Sequence, residues 1–125
     1  EEWKMKVETQ KILDPNIKVE ATCVRVPVLT THSLTVHATF KKKVSREEAQ
    51  DVLRNAAGVE LHDDPENYIF PTPADVVGTD PTWVGRVRRS MDDNHSLDLF
   101  LCGDNLRKGA ALNTAQIAEL VAKEF

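Results

Sequence analysis

Leu34, Val36, Ala38 and Phe40 alternate with Ser33, Thr35, His37 and Thr39. Successive side chains of a strand leave on opposite faces, so this run predicts a strand with one apolar and one polar side. Such a strand is stable only inside a sheet that other elements cover. A second alternating run precedes it. Val19, Ala21 and Cys23 share one face, Lys18, Glu20 and Thr22 the other, and Pro27 followed by Val28-Leu29-Thr30-Thr31 ends it.

Helical signals flank these two runs. Over residues 1–13, Met5, Thr9, Ile12 and Leu13 recur at helical spacing, and Asp14-Pro15-Asn16 stops the pattern because proline disfavours helical backbone at the residue before it. After Lys41-Lys42-Lys43, Ser45 and Glu48 make a capping box for a helix over about 46–56, with Val52, Leu53 and Ala56 as its buried face and Gly58 as its stop. Val59 to Leu61 fits a short strand. Residues 63–81 hold four of the six prolines and no clear period, which predicts an ordered, irregular loop. Trp83–Arg89 and Ser96–Cys102 read as strands joined by a polar hairpin at Met91-Asp92-Asp93-Asn94. Gly103-Asp104-Asn105 turns into a last helix over about 106–124, whose Ala110, Thr114, Ile117, Ala118 and Val121 form a small apolar face. The order predicts an α+β fold, a mixed or antiparallel sheet with packed helices.

The 125 residues are 41% hydrophobic and 29% charged, which fits one globular domain, and a formal charge of -4 argues against a nucleic-acid partner. No apolar run approaches the roughly 20 residues of a membrane span. Two cysteines make neither a disulfide framework nor a zinc site, so the expected compartment is a reducing cytoplasm. Glu1-Glu2-Trp3-Lys4 begins a helix with neither an initiator Met nor a cap, which gives the expectation of a piece of something longer.

A few side chains sit where packing alone does not want them. Strand parity puts Arg25 on the same face as Val19, Ala21 and Cys23. Either it snorkels or pairs with a structural carboxylate, or it meets an anionic ligand; position alone favours the first. His32 has the parity of Leu34, Val36 and Ala38, where a histidine is usually a hydrogen-bonded core group. Yet the two residues bracket one strand–loop–strand connection, and a guanidinium beside an imidazole makes a plausible acid/base site. Glu1, Lys4, Glu8 and Lys11 line one helix face, by itself a solvated stripe. Cys23 and Cys102 read as structural thiols in apolar strands. His37, His62 and His95 have no metal-binding spacing, and Gly103-Asp104-Asn105 reads as a generic capped turn.

Taken together, Glu1-Glu2-Trp3-Lys4, Glu8-Thr9, Lys11-Ile12-Leu13, Cys23-Val24-Arg25-Val26-Pro27-Val28 with His32-Ser33, and the run Gly103 to Asn113 resemble bacterial-type aspartate-semialdehyde dehydrogenase. The resemblance implies NADPH-dependent conversion of L-aspartyl-4-phosphate to L-aspartate 4-semialdehyde and phosphate, in lysine, methionine and threonine biosynthesis. It implies that Arg25 grips the substrate α-carboxylate, Glu1 its amino group and Lys4 the phosphate. His32 would be the general acid/base, and Asn105 would lie by the nicotinamide amide of NADP. The family's Rossmann domain and its Asn-Cys nucleophile have no counterpart here. The expectation is therefore a C-terminal fragment, inactive alone, belonging to a homodimer. Residues 1–102 would join the substrate-binding and dimerisation domain, and 103–125 would pack on the missing nucleotide-binding domain. The competing expectation is a freestanding dimerisation module in which Arg25 and His32 are only structural.

Overall fold

A computed structural model describes all of residues 1–125. Helix α1 (Glu2–Ile12) is followed by a long segment without regular structure, then by β1 (His32–Thr39), α2 (Arg46–Arg54), β2 (Val59–Leu61), the short α3 (Pro73–Val76), β3 (Thr82–Arg89) and β4 (Ser96–Gly103). A π-helical turn over Arg107–Ala111 leads into α4 (Leu112–Ala122). The four strands form one sheet in the order β1-β4-β3-β2. β1 and β3 lie antiparallel to β4, and β2 runs parallel to β3. The α+β reading with a mixed sheet therefore holds.

Local chemistry explains the well-read elements. Ser45 Oγ accepts from the Glu48 N–H at 3.0 Å while the Glu48 carboxylate accepts from the Ser45 N–H at 2.9 Å, so the capping box satisfies two free donors of α2. At α3 the Asp75 carboxylate accepts from both the Thr72 N–H at 3.2 Å and the Thr72 hydroxyl at 2.6 Å, with Pro73 at the first position. That four-residue helix lies in the stretch expected to be irregular. α2 packs against β2 and β3, and α3 against β4. Val76, Val84, Val87, Leu97 and Cys102 make the small core.

A bulge in β3 shapes the sheet beside that core. Arg86 takes φ 57°, and the pairing with β4 shifts between Gly85 and Arg88. The Asp63 side chain, 3% exposed, fills the gap. Its oxygens accept from the Arg86 N–H at 2.8 Å, the Val87 N–H at 3.3 Å, Gln50 Nε2 at 2.9 Å and Arg46 Nη2 at 3.3 Å. Arg46 Nε donates to the Val87 carbonyl at 2.9 Å. One carboxylate thus ties α2 and the β2 exit to the bulge. Gly85 is as tightly placed: a Cβ there would sit 2.4 Å from the His62 carbonyl oxygen and 2.4 Å from Pro71 Cδ.

Several expectations fail. Residues 19–26 form no strand and pair with none of the four strands of the sheet. Arg25 and Cys23 are accordingly exposed, rather than held on an apolar strand face. Val52, assigned to the buried face of α2, is 71% exposed. The last helix is shorter than expected, since the π-helical turn takes its first residues. α1 and α4 bury no residue at all. Only 10 of 125 residues are buried, so most of the apolar surface on these peripheral elements is uncovered.

Candidate functional site

The antiparallel register puts His32, the first residue of β1, directly opposite Gly103, the last of β4. The turn that follows, Asp104-Asn105, therefore lies beside the entrance to β1. Asn105 Oδ1 accepts the Thr31 N–H at 2.6 Å. Asp104 is 4% exposed; its Oδ2 accepts from the Gly78 N–H at 2.8 Å and its Oδ1 from the Leu106 N–H at 2.8 Å. Those backbone donors, Gly78 first and then Leu106, hold its carboxyl below the usual range for aspartate. The anionic carboxylate thus locks the end of α3 to the turn after β4. His32 and Asn105 are brought together by this scaffold.

His32 is exposed at the mouth of the strand, as is Leu34, so neither sits on the buried face expected for them. Even positions of β1 do face the better-covered side, as Val36 and Ala38 show, but coverage fades toward His32. Thr31, just before it, is 6% exposed and has a left-handed φ of 86°. Its Oγ1 is buried without a partner.

A second grouping forms around the start of α1. Glu2 Oε1 accepts the Cys23 N–H at 2.8 Å, and Cys23 Sγ meets Met5 Sδ at 3.7 Å. Gln10 Nε2 donates to the Ile17 carbonyl at 2.8 Å. These contacts tie Cys23 and Ile17 back to α1; Arg25, two residues after Cys23, is exposed and makes no hydrogen bond or ion pair within the chain. Glu1 and Lys4 are exposed; Lys4 reaches Glu8 at 4.0 Å, an open pair of little energetic weight. Of the five candidates, Asn105 is linked to the residue before His32, while no hydrogen bond or ion pair joins Glu1, Lys4, Arg25 and His32 to one another.

The arrangement supplies a guanidinium and an ammonium for an anion, a carboxylate for an amine, and an imidazole for proton transfer. Neither cysteine joins it as a nucleophile held at an activating position. Cys102 is buried in the core, and burial, with a smaller push from the Asp75 charge, raises its thiol to about 11. The open depression lined by Lys43, Ser45, Glu48 and Arg89 lies at the opposite end of the sheet, where β1 leaves and β3 ends.

Sequence reasoning missed Glu2, Thr31 and the double grip of Asp104. An Asp-Asn pair after a glycine signals a capped turn. Nothing local says that its partners are Gly78 and Thr31, 26 and 74 residues away.

Residues 1–108 match the family model described as semialdehyde dehydrogenase, dimerisation domain. The chain is 52% identical over 126 residues to aspartate-semialdehyde dehydrogenase of Corynebacterium glutamicum, an alignment covering 98% of this chain and 35% of that protein. The corresponding protein of Aquifex aeolicus is 48% identical over 125 residues, covering 99% of this chain and 37% of its own length. Among solved structures, aspartate semialdehyde dehydrogenase II of Vibrio cholerae, complexed with ASA, superimposes with a TM-score of 0.93 at 42% identity, covering 99% of this chain and 37% of that one. The chain thus spans between 35% and 37% of the length of these relatives.

Proposed function

Since the chain belongs to the semialdehyde dehydrogenase dimerisation-domain family, we propose that it is the C-terminal part of an aspartate-semialdehyde dehydrogenase. The whole enzyme converts L-aspartyl-4-phosphate and NADPH to L-aspartate 4-semialdehyde, NADP and phosphate in the cytoplasm. The observation that carries this reading is the near-complete alignment of the chain with proteins of that name, at 52% identity in one of them.

Each candidate has a role that suits its chemistry. The planar fork of Arg25 matches the substrate α-carboxylate, and its exposure on a segment without strand partners leaves both prongs free. Lys4 offers a compact charge to phosphate, and Glu1 at the head of α1 takes the amino group. His32 holds or releases the proton at the reacting carbonyl oxygen, since a neutral imidazole offers one nitrogen as donor and the other as acceptor. NADP, when bound, supplies hydride transfer. This chain's contact with it is Asn105, whose Oδ1 is taken by Thr31 while Nδ2 stays free to donate to an amide carbonyl.

The architecture fits a partial body. α4 buries none of its residues, which suits residues 103–125 packing on a nucleotide-binding domain, with 1–102 in the substrate-binding and dimerisation domain of a homodimer. The isolated chain is then inactive. The test is phosphate-dependent reduction of NADP by aspartate 4-semialdehyde. The full-length protein should turn over only with phosphate present, and the 125-residue chain should not turn over. Full-length protein that is inert, or indifferent to phosphate, refutes the assignment.

A further inference from the structure

We propose that Asn105 is a positioning residue for His32, acting through the Thr31 backbone. The proposal rests on the reading of His32 as the acid/base group.

The entrance to β1 is an unfavourable piece of backbone. Thr31 is β-branched, yet it takes φ 86°, a region such residues avoid. Its hydroxyl gains nothing from this, since Oγ1 is buried without a partner. A conformation of that kind persists only where its surroundings enforce it. The Asn105 Oδ1 contact, at 2.6 Å, is the tether that fixes the Thr31 N–H. Only an oxygen can meet an N–H, so the orientation of the carboxamide is settled by its partner.

The tether is stiff at its other end as well. Asn105 follows Asp104, whose carboxylate is pinned by the Gly78 and Leu106 N–H groups, and Gly103 is paired in the ladder opposite His32. Thr31 and Asn105 are thus held across the end of one β1–β4 pair. The His32 ring makes no hydrogen bond within the chain, so its direction is set by the backbone from which it springs. An acid/base group must lie within hydrogen-bond reach of the atom it serves, and an error of about 1 Å can cost up to about 10²-fold in rate. The carboxamide therefore has two separable ends: Oδ1 aims the imidazole, and Nδ2 is left for the cofactor.

Asn105→Asp separates them, because aspartate keeps an oxygen for the Thr31 N–H and loses the amide donor. In the full-length enzyme, Asn105→Ala should lower kcat by about 10- to 100-fold with little change in KM for the semialdehyde. Asn105→Asp should recover most of that kcat while KM for NADP rises. Protection of the Thr31 amide from hydrogen exchange should be lost in the alanine variant and retained in the aspartate variant. Should the alanine variant fail to fold, a kcat near wild type in Asn105→Asp still supports the tether. Equal loss of kcat in both variants, or a change in the KM for NADP alone, overturns it. Inactive wild-type protein removes both the functional reading and this one, whereas active wild type with unaltered Asn105→Ala removes only this one.

Discussion

Replacing Asp63 by alanine tests whether the β3 bulge is built on a single carboxylate. The substitution leaves the Arg86 and Val87 N–H groups without their acceptor and frees Gln50 and Arg46 from theirs. Arg46 is 32% exposed and keeps the Val87 carbonyl, so its charge finds water and adds little. The Val87 N–H, left unpaired in a buried residue, costs about 1–3 kcal/mol, while the Arg86 N–H belongs to an exposed residue and regains water, giving about 2–3 kcal/mol in all. With a urea slope of about 1–3 kcal/mol per molar, the unfolding midpoint should fall by about 1–3 M. Trp83, on β3 and tilted against His62 with ring centroids 4.8 Å apart, reports the transition by fluorescence. Asp63→Asn keeps one acceptor oxygen and should lose about half as much. If Asp63→Ala lies within about 0.5 kcal/mol of wild type, the bulge does not depend on this carboxylate and the reasoning fails.

Gly85→Ala should destabilise by about 1–3 kcal/mol, because its Cβ would meet the His62 carbonyl and the Pro71 ring at 2.4 Å; a midpoint unchanged in urea contradicts that packing. Iodoacetamide at neutral pH should label exposed Cys23 and spare buried Cys102. The Cys102 thiol is raised from 9.0 to about 11, so the folded state binds its proton more tightly than the unfolded one; stability should hold below pH 9 and decline as pH rises toward 11, and labelling of both thiols at equal rates argues against it. In the isolated chain, amide exchange should be slow in β3 and β4 and fast in α1, α4 and residues 17–30, unless the chain self-associates through its exposed apolar surface. Protection of α4 equal to that of β4, in a monodisperse monomer, contradicts this.

How much was legible depended on how far apart the interacting residues lie. Ser45 and Glu48 are three residues apart, so the start of α2 was readable from the sequence. The period of two in residues 33–39 gave both the strand and its covered face. The same period over 19–23 gave no strand, because alternation reports which side chains share a face and says nothing about whether a neighbour exists to pair with. Thr72-Pro73 with Asp75 carried a short helix that the proline count concealed. In the site, the residue types suggested the chemistry, while their assembly was hidden. Cys23 reaches Glu2 across 21 residues, and Thr31 reaches Asn105 across 74. Asp63 falls at the start of the stretch expected to be irregular, and its donors come from α2 and β3.

The division of labour between Arg25 and His32 is tested most directly by steady-state kinetics of Arg25→Lys and His32→Ala in the full-length enzyme, side by side. Loss of the bidentate fork should raise KM for the semialdehyde with kcat largely kept, while loss of the imidazole should depress kcat by about 10²–10⁴-fold with KM little altered. The opposite pattern, or wild-type rates in either variant, would contradict the account.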